Sequence, residues 1–243
     1  MIIVYKVIAL YLLVLISSVL STAFGVGSFV LIPIFTFFFT AKESVAMASL
    51  YFTFQNIVKL GFFWRFIDWN ISKKLLLYGL PGTIAGSALL LYINISFFQK
   101  MLGIAILAYV VKDLLKLKTK EVTPAQLKPY QIPLFSFLYG VSSGVVGSGN
   151  AVKGPLFSSA GLTKETYVAT YAATSFLLNI PKIFIYVQGG VISRNVLFES
   201  LPLLIVSLLG TYLGKKLISS ISESSFTLII NVFFVFSAIA LML

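Results

Sequence analysis

Long apolar stretches alternate with short polar stretches along most of the 243-residue chain. Because about 20 apolar residues are needed for one helix to span a bilayer, this pattern predicts an all-α polytopic membrane protein with about 8–10 membrane segments. The predicted segments run approximately over 3–23, 26–40, 44–64, 75–93, 97–115, 131–147, 151–162, 166–188, 196–218 and 224–243.

A charged stretch at 116–130 divides the chain into two similar parts. We predict a first transmembrane repeat at 1–115, a connector at 116–130 and a second transmembrane repeat at 131–243. Each part contains one short segment, and a helix of 12–15 residues spans only about 18–23 Å. Short, glycine-interrupted segments at corresponding places in two halves are typical of the central site of a transporter. They predict broken or re-entrant helices in both repeats.

The two halves also share residues in the same order, which indicates an internal duplication. One constant offset relates the Gly-x-Gly loops, a proline and a Lys-Glu pair, and the relation resumes after an insertion of one residue. The matching pairs are Gly25 and Gly147, Gly27 and Gly149, Pro33 and Pro155, Lys42-Glu43 and Lys164-Glu165, Asn56 and Asn179, and Lys59 and Lys182.

Loop charges predict which side of the membrane the connector faces. Arg65, Lys73 and Lys74 lie on the same side as the lysines at 112–128, so this side is predicted to be cytoplasmic. Inverted repeats would place 11 of 15 basic residues inside and parallel repeats 10 of 15, with three intramembrane lysines left out. The charge count therefore leaves both arrangements open.

Composition narrows the class of protein. Hydrophobic residues make up 59% of the chain and charged residues 10%, with a mean hydropathy of +1.02. The chain has no cysteine and no histidine, which removes disulfides, thiolate nucleophiles and the usual zinc and haem ligands. We therefore predict no enzymatic activity, no metal and no cofactor. The net charge of +11 is attributed to basic loops rather than to nucleic acid binding.

The glycine loops are the first candidate for a binding site. Glycine allows positive φ and close backbone approach, and a helix that begins inside a membrane protein offers unpaired N–H groups to an anion. The alternative is close packing of helices through small residues. We favour packing for Gly82, Gly86, Gly210 and Gly214, and a site for the serine-flanked loops. The predicted site residues in the loops are Gly25, Gly27, Ser28, Gly147, Gly149 and Asn150.

Three lysines within apolar segments are the second candidate. Charged groups at membrane depth are costly and are functional candidates by default. Lys59 and Lys182 each follow an asparagine by three residues, so amide and ammonium share a helix face. Lys153 follows the second loop. Asn56, Lys59, Asn179, Lys182 and Lys153 are therefore predicted to bind a negatively charged substrate, with snorkelling of the lysines to the interface as the alternative.

This order of motifs resembles the sulfite exporter TauE/SafE family. The shared features are a helix, a Gly-x-Gly loop, an apolar run with a proline, a Lys-Glu helix start and a later asparagine, and they occur twice over about 15–240. Ser28 and Asn150 stand where the family usually has more glycine. The resemblance implies export of sulfite or organosulfonates across the cytoplasmic membrane.

Three functions are compared. The leading hypothesis is a secondary transporter of small sulfur-containing anions, which are held between two broken-helix loops near the bilayer midplane. The alternative is an anion channel with the same basic lining. A membrane-embedded enzyme lacks its usual residues. The predicted partners are a sulfur anion such as sulfite or a sulfonate, membrane lipids and a possible second copy in a homo-oligomer, in the cytoplasmic membrane.

Overall fold

The computed structural model describes residues 2–25, 27–93, 131–147, 149–226, 228–229 and 232. Helices are the only regular secondary structure in these residues, as the sequence predicts. They are α1 (Ile2–Phe24), α2 (Gly27–Thr36), α3 (Ala41–Phe63), α4 (Trp69–Tyr92), α5 (Gln131–Val146), α6 (Asn150–Ser159), α7 (Lys164–Gln188) and α8 (Arg194–Ser220). The connector 116–130, the segment 97–115 and most of 224–243 lie outside the described residues.

Polar side chains fix where several helices begin. Thr40 and Glu43 form a reciprocal capping box at the start of α3. Asp68 accepts a hydrogen bond from the Ile71 backbone N–H at 3.0 Å at the start of α4, and Ser193 does the same for Val196 at 3.2 Å in α8. Each cap satisfies a backbone donor that the first helical turn leaves unpaired. The polar connections between apolar segments therefore set the helix boundaries.

Three of the described helices, α4, α7 and α8, are long and apolar enough to cross a membrane. Large apolar side chains cover the outside of the bundle, and Leu77, Phe184 and Ile205 are each more than 60% exposed. A soluble protein rarely exposes so continuous an apolar surface, whereas lipid tails match it. The outer surface is therefore suited to a bilayer.

Small residues let two helix pairs pack with their backbones in contact. In the pair of α4 and α5, a Cβ built on Gly86 would lie 2.8 Å from the Val141 Cα, and one on Gly82 would lie against the Phe137 carbonyl. In the pair of α1 and α8, a Cβ on Gly214 would lie 2.8 Å from the Val19 carbonyl oxygen. Gly210 likewise contacts Ser18. The packing role predicted for Gly82, Gly86, Gly210 and Gly214 is confirmed.

The contacts also give the directions of the helices. Residue numbers rise together where α4 meets α5 and where α1 meets α8, so each of these pairs is parallel. Helices α3 and α7 run in opposite directions, because Thr53 contacts Asn179 while Asp68, beyond the end of α3, contacts Thr170 near the start of α7. Helices α3 and α7, which the sequence predicts to occupy corresponding positions of two repeats, are therefore antiparallel.

Basic residues are unevenly distributed between the two ends of the bundle. We call the end at which α3 and α8 finish and α4, α5 and α7 begin the basic end. Lys215 reaches this end, where its Nζ lies 4.4 Å from the centre of the Phe62 ring. Arg65, Lys73, Lys74, Lys164, Lys215 and Lys216 lie at the basic end, whereas Lys6, Lys42 and Arg194 lie at the other end.

The helix crossing of α4 and α5 leads to a stability prediction. We expect Gly86→Ala to lower the stability of the purified protein by about 1–3 kcal/mol, because the new methyl group must push the Val141 backbone away. Thermal unfolding in detergent measures this change. Gly61→Ala in α3 is the matched control, since a Cβ there meets nothing within 4 Å. Equal melting temperatures for the two variants would contradict the packing argument.

Candidate functional site

The chain reverses direction at both Gly-x-Gly loops. Gly25 and Gly147 have φ angles of 74° and 78°, in the left-handed region that glycine tolerates best. The Ser17 hydroxyl donates a hydrogen bond to the Gly27 carbonyl at 2.8 Å, although a straight helix would separate these residues by about 15 Å. Helix α2 therefore turns back along α1 instead of continuing it.

The second loop has the same geometry. A Cβ built on Gly149 would lie 2.7 Å from the Tyr139 carbonyl oxygen, ten residues earlier in α5. The first glycine of each motif thus supplies the turn, and the second allows the following helix to lie against the preceding one. Helix α6 begins at this turn, with the Gly149 carbonyl accepting from the Val152 and Lys153 backbone N–H groups at 3.0 and 2.9 Å.

A small cavity lies between the two halves, beside these loops. The cavity has a volume of about 20 Å³, which is room for one or two water molecules. Both halves contribute to its wall. The lining residues are Ser21, Phe52, Asn56, Tyr139, Ser143, Gly147, Gly149, Tyr171, Ser175 and Asn179.

Two buried lysines are placed in equivalent ways behind this wall. Lys59 in α3 donates from Nζ to the hydroxyl of Ser21 at 2.7 Å and to its carbonyl oxygen at 2.9 Å. Lys182 in α7 donates to the Ser143 hydroxyl at 3.4 Å. Ser21 and Ser143 each stand four residues before the first glycine of their loop. The predicted pair of lysines therefore contacts a corresponding pair of serines.

Lys153 in α6 is the most extensively contacted cation near the cavity. Its Nζ donates to the Ser175 hydroxyl at 2.8 Å, to the Tyr171 carbonyl at 3.0 Å and to the Tyr139 hydroxyl at 3.2 Å. It also lies 3.9 Å from the centre of the Tyr171 ring. At the constant offset between the halves, the corresponding residue is Leu31. This cation has no counterpart in the first half.

The three ammonium groups form one cluster of positive charge. The Nζ atoms of Lys59 and Lys153 lie 5.9 and 3.9 Å from the centre of the Tyr171 ring, and Lys182 contacts Ser143 in the wall of the same cavity. At most 1% of each side chain is exposed. In the described part of the chain, their hydrogen bonds go to hydroxyl and carbonyl oxygens, not to carboxylates. Buried charges are normally paired, so this arrangement is short of negative charge.

The two asparagines in the cavity wall differ in their contacts. Asn179 donates from Nδ2 to the Thr53 hydroxyl at 2.8 Å. Asn56 is 1% exposed, and neither its amide nitrogen nor its amide oxygen has a partner among the described residues. A buried amide without partners loses its hydration without compensation, at a cost of about 1–3 kcal/mol. A ligand in the cavity would supply the missing partner.

The structure brings most of the residues predicted for the site into one region. Asn56, Gly147, Gly149 and Asn179 line the cavity, and Lys59, Lys153 and Lys182 stand behind it. Gly25 and Gly27 form the first reversal. Ser28 and Asn150 lie at the starts of α2 and α6, and their side chains are outside the described part of the structure.

Sequence reasoning missed the hydroxyl and aromatic side chains of the wall. These are Ser21, Phe52, Tyr139, Ser143, Tyr171 and Ser175. The serine-flanked character of the loops drew attention to the regions of Ser21 and Ser143 but did not single out either residue. Ser175 is buried within α7 and Tyr171 is partly buried there, and the sequence offers no signal that separates either from core residues.

Comparison with known proteins identifies the family. No curated protein and no solved structure gave a match to the chain in these comparisons. The profile of the sulfite exporter TauE/SafE family matches residues 10–241, which is nearly the whole chain. The chain therefore belongs to the sulfite exporter TauE/SafE family.

Proposed function

We propose that this protein is a secondary transporter that binds a small sulfur-containing anion, such as sulfite or an organosulfonate, in the cavity between its two halves. Membership of the family implies an integral membrane transporter of sulfite or related anions. The observation that carries the proposal is the cluster of Lys59, Lys153 and Lys182 around one small polar cavity. The family supports the substrate class, sulfite or a related anion. The lysine cluster supports a negative charge on the substrate.

An anion resolves the electrostatic imbalance of the cluster. Ammonium groups at membrane depth are costly to insert, by about 2.5–3.5 kcal/mol each, and are tolerated where they meet an opposite charge or water. The described contacts supply only neutral oxygens to these three lysines. The unpartnered Asn56 amide adds a donor that suits an oxyanion.

The arrangement of the halves suits alternating access. Antiparallel α3 and α7 are what inverted repeats would produce, whereas parallel repeats would leave equivalent helices in the same direction. The two chain reversals support a pair of re-entrant segments, one in each repeat. Movement of one half against the other would then open the cavity to one side of the membrane at a time.

We assign the basic end to the cytoplasm. Six basic residues of the described chain lie there and three lie at the other end, which is the bias expected for a cytoplasmic face. Helix α5 begins at the basic end, so the connector 116–130 that precedes it is assigned to the same face. The protein is accordingly proposed to reside in the cytoplasmic membrane.

The cavity favours a carrier over an anion channel. A conducting pore needs a continuous path that ions can enter and leave rapidly. The cavity between the halves has room for only one or two waters in this conformation. A carrier passes through such closed states in every cycle.

Transport by the purified protein in liposomes tests the proposal. We expect uptake of radiolabelled sulfite that saturates with concentration and shows counterflow when the liposomes are preloaded with unlabelled sulfite. Flux without saturation or counterflow would indicate a channel. Sulfite and organosulfonate flux equal to that of protein-free liposomes would contradict the proposed function.

A further inference from the structure

Three serine hydroxyls separate the buried lysines from the cavity. Ser21, Ser143 and Ser175 line the cavity, and each accepts a hydrogen bond from one of the lysines, whereas none of the three lysines lines it. The contact between Lys59 and Ser21 recurs between Lys182 and Ser143, at equivalent positions of the two halves. A molecule in the cavity therefore meets the hydroxyls first.

These hydroxyls differ from those of Ser49 and Ser200, two other buried serines of the bundle. Ser49 and Ser200 donate their protons to backbone carbonyls of their own helices, each at 2.7 Å. This is the usual arrangement for a helical serine. Ser21 and Ser143 instead accept from an ammonium group, which has three donors and no acceptor. A hydroxyl that accepts from an ammonium group keeps its own proton for another acceptor.

The second half extends this network. The Tyr139 hydroxyl accepts from Lys153 and lies 3.3 Å from the Ser175 hydroxyl. The three N–H donors of Lys153 are taken up by the Ser175 hydroxyl, the Tyr139 hydroxyl and the Tyr171 carbonyl, and only one of the two hydroxyl protons can be donated to the other hydroxyl, which leaves one proton over. The network therefore lacks an acceptor, and an oxyanion in the cavity would provide several.

We propose that the hydroxyls of Ser21, Ser143 and Ser175 are the direct ligands of the transported oxyanion, and that the lysines act through them. The inference rests on the proposed function. Each ammonium group polarises a hydroxyl and fixes it as an acceptor, so that the proton points away from the lysine. The lysines are thus positioning residues and sources of the electrostatic field. Charge-assisted hydrogen bonds of this kind are the strong ones.

The first half lacks part of this network. At the offset that relates Asn56 to Asn179, the residue corresponding to Ser175 is Phe52, which also lines the cavity. One wall therefore carries a lysine-backed hydroxyl where the equivalent wall carries an aromatic ring. The oxygens of the anion are accordingly expected to face Ser175 and Tyr139, and the least polar part of the anion to face Phe52.

Transport kinetics of serine variants in liposomes test this inference. We expect Ser21→Ala with Ser143→Ala to raise the KM for sulfite at least tenfold, because two charge-assisted hydrogen bonds to the anion are lost. Ser21→Thr with Ser143→Thr keeps both hydroxyls and is expected to recover most of the affinity. Ser49→Ala with Ser200→Ala is the matched control and should leave KM within about twofold of the unmodified protein.

Binding of sulfite, measured as the rise in melting temperature of the detergent-purified protein, provides a second reading that does not require transport. We expect the alanine pair to need at least tenfold more sulfite for the same rise. A wild-type KM in the alanine pair, with wild-type stabilisation by sulfite, would overturn the inference and show that the ammonium groups bind the anion directly. If the unmodified protein neither transports nor binds sulfite or a sulfonate, the proposed function fails with it.

Discussion

Sulfite transport is expected to fall to the level of protein-free liposomes when Lys59 and Lys182 are both replaced by methionine. Each substitution removes a buried positive charge at a site that is short of negative charge, and loss of one partner of a buried charge pair costs about 2–5 kcal/mol. Two such losses correspond to a reduction in kcat/KM of at least about a thousandfold. Initial rates over a range of sulfite concentrations measure it.

Methionine has nearly the length of lysine, so the variant is expected to remain folded. It relieves the cost of two charges at membrane depth, and the melting temperature should stay the same or rise. Lys73→Gln with Lys74→Gln is the matched control, because both lysines are exposed in the first turns of α4. If the methionine pair transports sulfite at the rate of this control, Lys59 and Lys182 do not belong to the anion site.

Lys153→Met is expected to cause the largest loss of transport among the single lysine variants. Lys153 donates three hydrogen bonds and has no equivalent in the first half, so no symmetry-related residue can replace it. We expect kcat/KM to fall by about a hundredfold or more, in line with the loss of a buried charge opposite an anion. Lys59→Met and Lys182→Met are measured beside it under the same conditions.

Comparing the transport rates of these three variants tests whether Lys153 contributes more to transport than Lys59 or Lys182. If Lys153→Met loses less activity than either of the other two, the anion lies nearer the paired lysines. The melting temperature of Lys153→Met shows whether a loss of transport comes from unfolding. We expect the variant to stay folded, because the Tyr139 and Ser175 hydroxyls lie 3.3 Å apart and can bond to each other without the lysine.

The sequence predicts the elements well because membrane insertion makes hydrophobic length and interruption informative. The predicted segment 44–64 corresponds to α3 at Ala41–Phe63, and the glycine loops separate α1 from α2 and α5 from α6. Glycines facing backbone, such as Gly82 and Gly86, were also distinguishable from glycines in polar loops by their apolar surroundings. The duplication and the domain boundaries stay predictions.

The wall of the cavity could not be predicted to the same degree. Ser21 and Ser143 face the cavity beside Lys59 of α3 and Lys182 of α7, and hydropathy does not encode which helices become neighbours. Tyr171 and Ser175 belong to a helix whose neighbouring residues are buried as well. The sequence also could not distinguish inverted from parallel repeats. Inverted repeats place 11 of 15 basic residues on the cytoplasmic side and parallel repeats place 10 of 15, and this difference is too small to choose between them.

The basic residues of the described chain divide into two groups. Most of them lie near the ends of helices, where they are expected to orient the protein in the membrane. Lys59, Lys153 and Lys182 lie inside the bundle, where hydroxyl oxygens hold them and the described contacts leave their charge unbalanced. Only the second group is proposed to act on the substrate, through the serine hydroxyls that line the cavity.

A crystal structure with bound selenite would show whether the transported anion lies in the cavity beside the three lysines. Selenite resembles sulfite in charge and shape, and anomalous scattering locates its selenium atom independently of the fitted chain. We expect one strong anomalous peak in the cavity, within hydrogen-bonding distance through its oxygens of Ser21, Asn56, Ser143 or Ser175. Selenite that competes with sulfite for transport yet gives its anomalous peak outside this cavity would contradict the account.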